Sequence, residues 1–206
     1  MKALVGKKIG ISAPGSATDA LLTYLFRKQG LDAQRDVTKV NLGNVTPAAA
    51  LAALSSGRVD AVCWPVPVGQ QAEAQGIGRI FISPAKGDIP AMSGMIYGVI
   101  YARQSVIDTK PKAVQALIRA IAQAETWIEK NAAQARTLLQ KDLQLDGKTT
   151  NAVAQAAMAS VPQTPQMREP GYRVAMQFHV DAGLLAIALA YNDLVATETI
   201  NQALAR

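Results

Sequence analysis

Residues 6–18, GKKIGISAPGSAT, restrict what this chain can become more than any other stretch. Ile9 and Ile11 alternate with small residues as a strand does, and Pro14-Gly15 breaks the chain before an amphipathic segment over residues 18–29. Ser16, with Asp19 three residues on, gives a shortened capping-box signal for that helix. A strand delivered through a glycine turn onto a helix N-terminus leaves several N–H groups unpaired, under a partial charge of roughly +0.5. Such a place suits an anion or a polar head group. It is not a nucleotide fingerprint, because Gly10 and Gly15 do not make GxGxxG and no Gly-Lys-Ser/Thr follows. An ordinary capped turn between strand and helix would carry the same residues.

The units that follow repeat the pattern. Residues 36–42, DVTKVNL, read as a second strand ending at Gly43-Asn44. Thr46 suits a helix cap, Pro47 its first turn and Gly57 its end. The continuous apolar run VDAVCW, residues 59–64, predicts a strand buried on both faces of a parallel sheet. A short helix over 68–75, a strand over 79–83 (RIFIS) and a last strand over 95–103 (MIYGVIYAR) complete the series. From Pro111 the sequence is helical and Ala-rich, with segments at 113–131, 132–141, 149–160, 172–190 and 198–205. The expected architecture is an α/β lobe over residues 1–103 built on a parallel or mixed sheet, then a helical C-terminal segment over 104–206.

Parallel sheets of this kind bind ligands outside the carboxyl ends of their strands. Those ends are residues 12–18, 41–46 and 64–67, three separated loops that should share one rim.

Composition narrows the function classes. In 206 residues half are apolar and 17% are charged, enough for a substantial core. The net charge of +6 is spread along the chain rather than clustered, and aromatics for base stacking are few, so nucleic acid is not an expected partner. Cys63 is the single cysteine, which rules out an internal disulfide and a zinc cluster and fits a core thiol. No run approaches the roughly 18 apolar residues of a membrane span. Met1-Lys2 leads at once into strand-like sequence, so no signal peptide is read, and a complete chain would be cytoplasmic.

Catalysis finds little support. His179 lies between Phe178 and Val180 on a helical segment and reads as a structural histidine. Ser12, Ser16 and Ser55 have no neighbouring base or G-x-S-x-G elbow, and Asp60 reads as a local cap or partner. No metal site or cofactor is implied. Trp64, at the end of a strand, can stack on a ligand or simply pack in the core. Met92, Met95 and Tyr97 offer a similar choice between lining a cleft and filling the interior.

The order of pieces resembles one family, the solute-binding receptors of ABC importers for nitrate, aliphatic sulfonates, taurine and bicarbonate, together with relatives that bind pyrimidine precursors of thiamine. The resemblance rests on LVGKKIGISAPGSATDALLTYL at 4–25, on NLGNVTPAAALAALSSGRVDAV at 41–62, and on KPKAV at 110–114 entering a long helix with Trp127 and Asn131. It implies one lobe of a type II periplasmic-binding-protein fold, whose cleft wall would be formed by Ser12, Gly15, Ser16, Thr18, Asn41, Asn44 and Trp64. It implies a periplasmic location, a small-molecule ligand and delivery to ABC transporter membrane subunits, without catalysis. The family's third loop commonly reads Trp, an acidic residue, Pro; here Val66 falls where the acid would be, which favours an anionic or neutral ligand over a basic amine. The resemblance also implies a first lobe of roughly a hundred residues ahead of Leu4 that this sequence lacks. One wall cannot enclose a small molecule, and helices meant to pack on a second lobe would expose apolar stripes, so self-association through the C-terminal helices is expected. An enzyme on the same frame and the ligand-sensing domain of a transcription regulator are the rival readings; neither an acid/base pair nor a helix-turn-helix is present to favour them.

Overall fold

The computed structural model describes residues 1–43, 46–158, 161 and 164–205. Its centre is a three-stranded parallel sheet in the order β2-β1-β3, with β1 spanning Lys8–Ile11, β2 Thr38–Asn41 and β3 Ala61–Val62. Ile9 pairs with Lys39 on one side and Ala61 on the other, and Ile11 with Asn41, so all three strands run toward one rim. Gly10 lies mid-strand because its neighbours leave no room. A Cβ there would meet Leu42 Cδ1 at 2.8 Å and Val62 Cγ1 at 3.0 Å.

Helix α1, Ala17–Arg27, is buried on two sides. Leu22 and Phe26 join Ile9, Ile11, Ala33 and Val37 against the sheet. Ala20 and Tyr24 face the other way, onto Met92, Phe178 and Ala182. Each large side chain hidden in these two clusters contributes about 1.5–3 kcal/mol of transfer free energy. The remaining helices of the first half are α2, Pro47–Ser55, and α3, Val68–Ala74.

The helical series follows as α4 (Gln104–Thr109), α5 (Pro111–Lys130), α6 (Ala132–Asp142), α7 (Gly147–Met158), α8 (Glu169–Asp181), α9 (Tyr191–Leu194) and α10 (Thr197–Leu204). α8 packs on α1, where the rings of Tyr24 and Phe178 lie 5.1 Å apart, and α7 packs on α3. α5 packs chiefly against α10, and none of its residues is buried.

Four expectations need correction. The strand expected at 59–64 is only Ala61–Val62, and both residues are half-buried rather than buried on both faces. Residues 79–83 are not a strand: the Ile80 N–H donates to Glu73 Oε1 at 2.9 Å and the Ser83 N–H to Asp88 Oδ2 at 2.7 Å, so carboxylates take the donors a ladder would need. Residues 95–103 are not a strand either and pair with no described strand. The helix expected at 172–190 ends at Asp181, where Gly183 adopts φ +76° and Leu184 N–H bonds back to His179 O. The expected 149–160 helix is seen as α7, with Ser160 outside the described residues.

Candidate functional site

β1 hands the chain to α1 through a turn that Gly15 makes with φ +74°, a left-handed conformation that an L side chain adopts only at a cost. The turn folds three hydroxyls together. Ser12 Oγ donates to Ser16 Oγ at 3.0 Å, Ser16 Oγ lies 2.8 Å from Thr18 Oγ1, and Thr18 Oγ1 lies 3.0 Å from Ser12 Oγ. With one proton each, the three close as a ring in which every hydroxyl donates once. Ser12 and Thr18 are buried, and half-buried Ser16 is the outward member.

The capping signal is realised with a shift of one residue. Ser16 Oγ accepts from the Asp19 N–H at 3.4 Å, while Asp19 Oδ2 reaches back past the cap to the Gly15 N–H at 2.9 Å. Thr18 Oγ1 also accepts from the Ser12 N–H at 2.9 Å. Many of the turn's donors are therefore used internally. The N–H groups of Ala13, Ala17 and Thr18 have no partner among the described residues, and the latter two belong to the positive end of α1.

Lys39 is the residue that sequence reasoning missed. Its Nζ lies 2.6 Å from Asp19 Oδ1 and 3.1 Å from Thr23 Oγ1, with both side chains of the ion pair only 12% exposed. The pair ties β2 to the start of α1 and cancels a carboxylate that would otherwise oppose an anion at the helix end. Twenty residues separate the partners, and no local pattern links them.

The other expected site residues are placed as follows. Asn41 ends β2 beside Ile11, on the same rim, and its Oδ1 accepts from the Gly43 N–H at 2.9 Å, holding its own loop. Trp64 follows β3 and is half-buried. Asn44 lies outside the described residues. Parallel strand order thus sets Ser12, Gly15, Ser16 and Thr18 in one cluster, with the Asn41 and Trp64 loops on either flank. Met92 is buried and Met95 partly buried in the α1–α8 core, whereas Tyr97 is exposed. His179 Nδ1 sits 2.6 Å from Ala175 O, one helical turn away, and its ring meets Phe178 edge-on.

The rim is an open wall. Of two depressions of about 240 and 230 Å³, one runs along α2 from Leu42 past Ala49 and Ala52 to Arg58, and the other lies among α9, α10 and the residues just before α8, lined by Met167, Tyr191 and Ile200. Among the described residues no group of His, Cys, Asp and Glu is placed to hold a metal.

This fold is that of the periplasmic solute-binding proteins. The chain superposes over 98% of its length on a solved protein of Bordetella bronchiseptica RB50, with a TM-score of 0.80 and 28% identity, covering 64% of that protein. It is similar in fold to the periplasmic aliphatic sulphonate binding protein SsuA from Escherichia coli (TM-score 0.66, 19% identity, 94% of this chain and 60% of that one). A third structure, described as a candidate periplasmic sulfonate-binding protein SsuA of a sulfonate ABC transporter from Methylobacillus flagellatus KT, matches with TM-score 0.63 and 21% identity over 98% of this chain and 61% of that one. The NMT1-like family is matched over residues 2–141, and the chain belongs to that family. No curated protein matches it. The chain spans less than two thirds of the length of each of these three structures.

Proposed function

We propose that this chain is the ligand-binding lobe of a solute receptor that serves the membrane subunits of an ABC transporter, and that its ligand presents a small oxyanion or neutral polar head to the 12–18 turn. The observation that carries this reading is the joining of three hydroxyls to the unpartnered Ala17 and Thr18 N–H groups at the start of α1. Any hydroxyl can turn its proton from the ring to an incoming acceptor, and the helix end supplies fixed donors beside it. Val66 in place of an acid leaves the third loop without a counter-ion for an amine. Asn41 and Trp64 would bound the ligand on the flanks. Sulfonates are favoured, since a tetrahedral oxyanion can take several donors at once. A periplasmic site of action belongs to the same reading; among the described residues no helix is long and apolar enough to cross a membrane.

The test is calorimetry with taurine, alkyl sulfonates, nitrate, bicarbonate and an aminopyrimidine. Weak binding of a sulfonate is expected, because an open wall buries little of a ligand. Thr18→Val should weaken it by about ten-fold, the equivalent of one hydrogen bond to a charged group. Binding of the aminopyrimidine alone, untouched by Thr18→Val, would discard the assignment.

A further inference from the structure

The three rim loops, residues 12–18, 41–46 and 64–67, contain no Asp or Glu. The acid that borders them is Asp19, one residue past Thr18 in the first turn of α1, and both of its carboxylate oxygens are taken. Oδ2 accepts from the Gly15 N–H at 2.9 Å, and Oδ1 lies 2.6 Å from Lys39 Nζ. Thr23, one turn further along α1, accepts a second N–H of the same ammonium at 3.1 Å, so Lys39 is held at two points of the helix. Lys39 reaches α1 through strand alternation: Lys39 and Asn41 pair with Ile9 and Ile11, whose side chains pack with Leu22 and Phe26 of α1. Asn41, at the end of β2, gives its Oδ1 to the Gly43 N–H. Its Nδ2 hydrogens are the end of that amide without a partner among the described residues.

We propose that Lys39 is the specificity-determining residue of the rim: by holding Asp19 it leaves a ligand's polar end facing donors and no anionic partner, so a sulfonate with an uncharged chain is taken in preference to its aminated isostere. This rests on the receptor reading of the preceding subsection. The donors are the Ala17 and Thr18 N–H groups, the hydroxyls of Ser12, Ser16 and Thr18, and Asn41 Nδ2. A sulfonate head offers oxygens that only accept, and it meets such a set without leaving a group unpaired. An ammonium two carbons from the sulfur gives up water and finds no free carboxylate in exchange. Val66 withholds a counter-ion from the third loop as well. Released from Lys39, Asp19 Oδ1 would become a partner for that cation, and the same rim would accept the zwitterion. The discrimination therefore lies with a lysine beneath the contact surface, acting through the partner it withholds.

Taurine and propanesulfonate differ by an ammonium in place of a methyl group, so the ratio of their affinities on one protein reads charge selection. Amide NMR titrations should place both ligands at the Ala17 and Thr18 N–H groups, with propanesulfonate bound about ten-fold more tightly. Lys39→Met should bring the ratio close to one or reverse it. Any loss of stability in that variant lowers both affinities alike and leaves the ratio unmoved. Asp19→Asn keeps an acceptor for the Gly15 N–H and leaves the Lys39 ammonium uncompensated, so it should widen the ratio in favour of propanesulfonate. The double variant Lys39→Met/Asp19→Asn carries neither charge and should return the ratio of the unaltered protein. Sulfonates that bind at these amides with a ratio indifferent to Lys39→Met and to Asp19→Asn would overturn the proposal and leave the receptor reading standing. Equal affinity for the two ligands on the unaltered protein would do the same, since the ammonium would then have a partner elsewhere, as on the Trp64 ring. No shift at the rim with either ligand would overturn both.

Discussion

Lys39 shows how one side chain sets the character of the rim. Its ammonium and the Asp19 carboxylate are both largely out of water, so each depends on the other for the solvation it has given up. Lys39→Met would leave Asp19 charged beneath the hydroxyl cluster with only the Gly15 N–H and water to balance it. We expect a loss of about 2 kcal/mol in urea unfolding, below the usual range for a fully buried pair because some solvent still reaches both groups. The double variant Lys39→Met/Asp19→Leu should recover part of that loss. A single-variant cost under ~0.5 kcal/mol would mean the pair behaves as a surface contact. At this scale, the hydroxyls and Gly15 were legible because a turn's chemistry is local: the φ demand, the cap and the apolar alternation all lie within a dozen residues. Lys39 was not, since its importance comes from β2 lying beside β1, a pairing that one-dimensional spacing does not carry.

Among the elements, α8 decides whether the two parts of the chain stand or fall together. Phe178 fills the space between Tyr24, Ala20 and Met92, and Asp181 reinforces the contact through Lys28, whose Nζ is 2.6 Å away. Phe178→Ala should cost about 3 kcal/mol, the low end for removing a buried ring because the site lies near the surface and can partly collapse. The cost should appear in one cooperative transition monitored by both Tyr fluorescence and far-UV circular dichroism. Two separated transitions, only the later-forming one moved by the substitution, would show that α8 is an independent layer. The helices were the more legible elements, since 3.6-residue periodicity survives without knowledge of neighbours; α5 runs from Pro111 to Lys130 where 113–131 was expected. Strands are defined by partners. RIFIS and MIYGVIYAR have strand composition, yet the first surrenders its donors to Glu73 and Asp88, and the second has no described strand beside it.

Taken as a whole molecule, the fold rests on a small sheet clamped by α1, and Cys63 reports on whether that clamp opens. Its N–H bonds to Gly10 O at 2.9 Å just beyond β3, and its thiol packs against the Ile9–Phe26 cluster. Burial pushes the thiol up to about 12, opposed in part by a hydrogen bond from the Leu22 backbone. Because the folded value lies above the ordinary value of 9.0, the neutral thiol's contribution is complete below that pH and is lost as pH rises toward about 12. At pH ~8.5 an unfolded cysteine is substantially thiolate, whereas the folded one is almost wholly protonated and partly buried. Labelling with a disulfide reagent at that pH should therefore be slower than in urea by on the order of a thousand-fold, with opening the main route to a reactive thiolate. The rate should rise in Lys39→Met and Phe178→Ala in proportion to their loss of global stability if opening is global. Labelling insensitive to both substitutions would instead place the opening in the two-residue β3 alone, and the molecule would have a sheet edge that frays while α1 and α8 stay closed.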